Sequence, residues 1–214
     1  MASTPTGGPA RSTYRHGDLH RALLEAGIDL ARHGGPEAVV LREATRRAGV
    51  VPNAAYRHFA SRQELLAAVQ AAALSALAVA IESELAGLRR GKRLADFARD
   101  SLRAVGAGYL RFAQAEPGLF RTAFALLDPV EEDTDPNKAG RSGLNPFQLL
   151  ASALDRMVDA GLLPPERRPG AEYLAWSAVH GLALLIIDGP LRQLTPEESA
   201  AIGQRLLTMV ENGL

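Results

Sequence analysis

Leu41-Arg-Glu-Ala-Thr-Arg-Arg-Ala-Gly49-Val-Val-Pro52-Asn-Ala-Ala-Tyr56-Arg-His-Phe59 reads as two short helices joined by a tight turn. Gly49 closes the first helix, since glycine takes the left-handed conformation that ends a helix without steric cost. Pro52 opens the second, where its missing N–H would have had no partner in any case. Leu41, Ala44, Ala48 and Val50 fall where they pack the two helices together, and the second closes near Phe59. Pro52, Asn53, Tyr56, Arg57 and His58 are left near an exposed face. A Gly at the turn and an aromatic-rich second helix make residues 40–59 a helix-turn-helix candidate, whose exposed helix is of a size to enter a DNA major groove.

Outward from this motif the pattern stays helical. Asp18 is placed to cap a helix in which Leu19, Ala22, Leu23, Ala26 and Leu30 recur at helical spacing, until Gly34-Gly35-Pro36 stops it. Ser61-Arg62-Gln63-Glu64 is a capping box, and the apolar pattern after it runs to about Leu88. At 1.5 Å per residue that helix is roughly 40 Å long, enough to join two bodies. Residues 93–116 and 117–127 form two further helices, and the acidic, Pro- and Gly-containing stretch 128–145 is expected to be a mobile loop. Residues 146–160 put Phe147, Leu150, Leu154 and Met157 on one face. Residues 170–187 follow, then a last helix capped by Thr195-Pro196-Glu197-Glu198, whose carboxylates suit its positive end. No alternating strand pattern and no repeat is present. The expected fold is all-α: a tail (1–16), a three-helix domain with the helix-turn-helix (17–77), and a C-terminal helical domain (78–214) joined to it by the long helix.

Composition narrows the function. The 214 residues contain no cysteine, which excludes disulfides, thiolate chemistry and Cys-based metal sites. Net charge is zero, yet up to Leu66 nine basic residues face six acidic ones, so a +3 segment holding four of the five histidines precedes a −3 remainder. Arg outnumbers Lys throughout, which weakens any single Arg as a signal. Residues 1–14 lack an apolar core and are no signal peptide. The longest apolar run is read as Leu174 to Ile187, 14 residues interrupted by Trp176, Ser177, His180 and Gly181, too short for a membrane span. A cytoplasmic protein without membrane contact is expected.

The motifs resemble the tetracycline-repressor (TetR) family of bacterial transcription regulators. The matching elements are Ala48-Gly49-Val50 at the turn, Tyr56-x-His58-Phe59 closing the second helix, and Ser61-Arg62-Gln63-Glu64-Leu65-Leu66 opening the long one. Tyr109-Leu-Arg-Phe112-Ala, Pro117-Gly-Leu-Phe120-Arg and Trp176-Ser-Ala-Val-His180-Gly181 look like the C-terminal domain of one subgroup, marked by Trp-x-x-x-His-Gly. The sequence departs from the family at Val40 and Val51, which stand where Ser or Thr usually cap the two short helices, and at Ala44 and Ala55, which replace larger aliphatics. The resemblance implies a homodimeric, ligand-responsive repressor on a palindromic double-stranded DNA operator, needing no cofactor. By position, Tyr56 and Arg62 hold phosphates, while Asn53, Ala54, Arg57 and His58 lie nearest base edges.

Simpler readings stand beside these. Arg42, Arg46 and Arg47 are either phosphate contacts or a solvated helix face, and Arg11 and Arg15 either a minor-groove arm or a solubilising tail. His16 and His20 are four apart, but Gly17 and Asp18 are expected to break the helix between them, so no metal site is expected. No nucleophile-base arrangement and no Gly-rich phosphate loop is present, and the chain is not read as an enzyme. In residues 170–187, Tyr173, Trp176, His180, Leu184 and Ile187 share one face and Leu174, Ala178, Leu182 and Leu185 another, so the helix must be buried on both sides, with Gly181 permitting close approach of a second subunit. His180 is either a core histidine donating to a carbonyl or a ligand contact. The resemblance makes Phe97, Tyr109, Phe112, Phe124, Phe147, Met157, Trp176 and His180 the candidate effector pocket, although these residues and Phe120 would also simply fill a core. Few polar groups stand among them, which favours a largely apolar, uncharged effector. A helical enzyme or carrier of a small apolar molecule, without DNA binding, is the alternative.

Overall fold

The computed structural model describes residues 16–89, 91, 93–126 and 133–214, and within them regular structure is helical only. The head comprises α1 (His16–Gly34), α2 (Leu41–Arg47) and α3 (Pro52–Ala55), closed by the start of α4 (Arg62–Ala86). The body continues with α5 (Leu94–Ala115), α6 (Pro117–Ala123), α7 (Pro146–Asp159), α8 (Ala171–Ile187) and α9 (Pro196–Gly213).

Local chemistry accounts for most of the boundaries. Gly49 turns left-handed at φ 68° after α2, as its place in the motif requires. Ser61 caps α4 by accepting the Glu64 N–H, while the Glu64 carboxylate reaches back to the N–H of Ala60, one residue beyond the usual box. Asn145 and Thr195 head α7 and α9 in full reciprocal capping boxes. Three boundaries differ from expectation. α1 spans His16–Gly34, so Gly17 and Asp18 lie within the helix and do not precede it. α3 is only four residues long, because Tyr56, Arg57 and His58 tighten into a turn in which the N–H groups of His58 and Phe59 both donate to the Ala55 carbonyl. The expected mobile loop is, from residue 133 onward, pinned to the body by contacts described below.

In the head, Leu23, Ala44, Ala55, Phe59, Leu65 and Val69 form a small core between α1, α2, α3 and α4. α4 then runs on through the body against α5, α6 and α7. By length and composition, with a mean hydropathy of 1.9, it is apolar enough to cross a membrane, and it is a longer apolar stretch than residues 174–187. Half of that stretch is buried inside the molecule, which accounts for its apolarity as core packing. Gly108 lets α5 meet α4 backbone to backbone, since a Cβ there would stand 2.7 Å from the Ile81 Cα.

α8 buries Ala171, Ala175, Val179, Leu182 and Ala183, a stripe that lies between the two faces expected from the sequence. Leu174 (66% exposed), Leu184 and Leu185 face outward around Gly181, where an added Cβ would meet nothing within 4 Å. Met209 of α9 is exposed as well.

Candidate nucleic-acid interface and internal cavity

The head presents Arg42, Asn53, Tyr56 and Arg57 to solvent, with His58 and Ala54 partly covered; the side chain of Pro52 lies outside the described residues. Val40 and Val51 precede α2 and α3 without any side-chain cap, and the Asn53 side chain makes no hydrogen bond among the described residues that would replace one. Arg11 and Arg15 also lie outside the described residues.

The three arginines of α2 separate by their partners. Arg46 is paired with Glu43 at 2.6 Å, and Arg47 with both Glu43 and Asp29 of α1. The Arg46 guanidinium, seconded by Arg47, holds the Glu43 carboxyl down to about 2. Arg42 and Arg57 have no ion pair among the described residues, so two exposed cations remain uncommitted on this face. Arg62 is otherwise engaged. Its Nε donates to the Val39 carbonyl and its Nη2 to that of Pro36, both at 2.8 Å, so it ties the start of α4 to the segment entering α2. His20 stacks on Phe59, ring centroids 4.7 Å apart, and no group of three or more metal-ligating side chains occurs among the described residues.

Inside the body lies a cavity of about 80 Å³. Four of the eight expected pocket residues line it: Tyr109, Phe124, Phe147 and Trp176. Phe112 and Met157 are buried away from it, Phe97 is half-buried on α5, and His180 stands behind its wall. Aliphatic side chains that sequence alone did not single out, among them Leu74 and Ile81 of α4 and Leu207 of α9, supply much of the surface. Ligand sites for drug-sized molecules measure about 300 Å³ or more. The space as it stands is smaller than that.

Among the described residues His180 does not donate to a carbonyl as expected of a core histidine. The Tyr109 hydroxyl lies 2.7 Å from His180 Nδ1 and accepts the Trp176 Nε1–H at 3.1 Å. Burial pushes the imidazole below its ordinary range and the phenol above its own. Phe120 and Phe124 pack edge-on around the pair, with the Phe124 and His180 ring centroids 4.9 Å apart.

The lining also includes the polar residues Asp133, Lys138 and Asn145, which the sequence pattern did not single out. Lys138 Nζ donates to Asp133 Oδ2 at 2.6 Å, and Asn145 Nδ2 to the Asp133 carbonyl at 2.9 Å. This segment is fastened to α4: Ser75 donates to the Ala139 carbonyl, and the Glu82 carboxylate accepts the N–H groups of Arg141 and Ser142 and the Ser142 hydroxyl. Burial works against the charged form of Glu82, but these donors prevail and hold its carboxyl below the usual range. The Asn-Pro-Phe-Gln capping box at Asn145 was a readable sign of order here. Lys138, one of only two lysines in the chain, carried no signal that it would be buried.

α6 connects cavity and head. Its C-terminal neighbour Phe124 lines the cavity, while at its other end a Cβ on Gly118 would collide with the carbonyls of Ala31 and Arg32 in α1. Arg32 pairs with Glu116 at 2.9 Å, and Arg121 grips Asp188 at the end of α8 through both carboxylate oxygens.

Residues 23–69 match the family described as bacterial regulatory proteins, tetR family, and residues 102–210 that described as tetracyclin repressor-like, C-terminal domain. A Rhodococcus protein of unknown function has a similar structure, with 24% identity and a TM-score of 0.69 over 92% of this chain and 98% of its own. A TetR family transcriptional regulator from Thermus thermophilus shares 20% identity, with a TM-score of 0.56 over 90% and 95% of the two chains. A putative tetR family transcription regulator from a Shewanella species shares 19%, with a TM-score of 0.58 over 89% and 96%. No curated protein matches.

Proposed function

The chain belongs to the bacterial tetR family of regulatory proteins, and from that premise we propose that this ligand-responsive, DNA-binding transcription regulator is a homodimeric repressor released from a palindromic operator by a largely apolar effector. Residues 17–77 form the DNA-binding head, and residues 78–214 hold the effector and the dimer face. Trp176, His180 and Gly181 fit the Trp-x-x-x-His-Gly subgroup: the first two meet at Tyr109, and the third opens the outer face of α8. That face, with Leu174, Leu184 and Leu185 exposed beside Met209, supports a four-helix dimer contact of α8 and α9.

The observation that carries this reading is shared scaffolding. α4 contributes wall to the cavity, α6 leads directly into the wall residue Phe124, and both helices pack against α1. An effector that spreads the cavity therefore biases the spacing of two heads that must reach successive major grooves. On the head, Arg42 and Arg57 are placed for phosphates or base edges, Tyr56 for a phosphate, and Asn53 with Ala54, Pro52 and His58 for base readout. Arg62 acts first by fixing the entry to α2. The cavity serves as a sensor and not as a reaction site.

If each subunit neutralises about three phosphates, operator affinity falls with salt at a log–log slope of about −5. Gel shifts on selected and random duplexes across a salt series measure it, and a slope near zero overturns DNA binding. Asn53→Ala is expected to change site preference, whereas Arg42→Ala weakens binding to all sequences alike.

A further inference from the structure

Gln70 of α4 is only 3% exposed, and half of its amide is unmatched. Its Nε2 donates at 3.2 Å to the Leu126 carbonyl, just beyond α6, which fixes the orientation of the amide. Its Oε1 is buried without a hydrogen bond among the described residues. Arg103 Nε and Glu211 Oε2 are buried without one as well, but those two form an ion pair with each other. A buried acceptor left unmatched destabilises the fold, and such an atom calls for a partner. Its place ties it to the cavity. Gln70 precedes the wall residue Leu74 by one helical turn and the wall residue Ile81 by three, so the three share a face of α4. Leu126, which the amide holds, follows the wall residue Phe124 by two positions. Gln70 does not itself line the space; it lies roughly 6 Å along α4 from Leu74, on the side that leads to the head.

We propose that Gln70 Oε1 is a polar subsite for the effector, whose apolar body fills the cavity and whose single neutral hydrogen-bond donor, a hydroxyl or an amide N–H, extends past Leu74 to this oxygen. A head that only accepts, such as an ether, leaves the oxygen unmatched. An ammonium head would donate, but one amide dipole does not offset the loss of its hydration. The subsite lies where α4 meets the exit of α6, and both helices pack against α1, so a ligand held there acts on the contact through which the body reaches the head. The proposal rests on the cavity being the effector site.

The test uses two isomers, phenylbutanol and phenylpropyl methyl ether, which hold the same atoms but of which only the alcohol has an O–H to donate. Each is titrated into the full-length protein, and the fluorescence of Trp176, the single tryptophan and a wall residue, reports occupancy of the cavity. A purely apolar space would favour the ether, whose oxygen loses less on leaving water. The alcohol is instead expected to bind about tenfold more tightly. In Gln70→Leu and Gln70→Met, which remove the acceptor, the advantage of the alcohol is expected to disappear. Equal affinity of the two isomers for the wild-type protein, or tighter binding of the ether, overturns the proposal whether or not the variants fold. An undiminished preference for the alcohol in either folded variant overturns it too, and in both cases the cavity stands as the effector site. No response of Trp176 to either isomer removes the cavity reading itself, and this inference with it.

Discussion

In the head, α2 and α3 span seven and four residues, start on exposed valines without caps, and meet through alanines. In the body, α7 and α9 span fourteen and eighteen, and both start in full capping boxes. The head's short helices are therefore held in place from outside themselves, by Arg62 on the Pro36 and Val39 carbonyls, by Arg47 on Asp29, and by Phe59 packed beneath His20. Isolated helices of this length do not persist in water. The reading surface therefore borrows its order from α1 and α4, the helices through which the body can move it.

Disrupting the outer face of α8 should have the greatest consequence for DNA binding. Replacing Leu174 and Leu185 with Arg on the outer face of α8 leaves every residue of the head unchanged, and both positions are exposed in the single chain. The variant is expected to sediment as a monomer with native helicity. Since two tethered heads gain about a hundredfold or more over one through effective concentration, operator affinity should fall by that factor. A dimer that survives the change would remove α8 from the interface.

The polar loop gives a smaller effect, confined to the body. Glu82 is held charged by three donors, so its contribution to stability is complete above the ordinary carboxylate range and is lost as the pH falls through its lower folded value. Glu82→Gln should cost about 1 kcal/mol at neutral pH after allowing for solvent screening, and should flatten the acid limb of the stability curve. Urea titrations between pH 3 and pH 7, roughly, read both. An unchanged acid limb would mean that the loop is held by Ser75 and Asn145 alone.

The two regions also differ in how far they could be read without coordinates. At Gly49, Ser61, Pro146 and Thr195, where a boundary depends on neighbouring residues, sequence and structure agree, and the missing caps at Val40 and Val51 are missing, whereas the starts and ends read at Asp18 and Phe59 are shifted. The failures are tertiary. Lys138 is buried because Ser75 and Glu82, more than fifty residues away, hold its loop, and no local pattern encodes that. Arg62, to which the resemblance gives a phosphate, also holds backbone carbonyls, and no local pattern announces such partners because every sequence has them. Phe112 and Met157 could not be told from Tyr109 and Phe147, since an aromatic or thioether stripe serves a core and a cavity wall equally well. Residues 170–187 were correctly read as helical, yet the buried stripe runs between the two proposed faces because small residues, Ala171, Ala175 and Ala183, make the contact.

Restoring a cap to either short helix should change stability only slightly. A threonine at position 40 or 51 would place a hydroxyl where each short helix leaves N–H groups unpaired, and the extended backbone of both valines, φ −121° and −72°, already suits a cap. Each substitution should stabilise its helix by about 0.5 to 1 kcal/mol. Hydrogen exchange should slow in α2 and α3 while protection of α5 and α8 stays unchanged, because the gain is local. Val51 is 69% exposed beside Asn53, so Val51→Thr also adds a polar group to the DNA-facing surface, whereas Val40→Thr mainly restores a cap. If both stiffen the head and only Val51→Thr alters operator affinity, order in the short helices is already supplied by α1 and α4 when DNA is bound. If Val40→Thr alone tightens binding, the free head spends part of its time unfolded, and the absence of caps is itself a setting of the regulator's affinity.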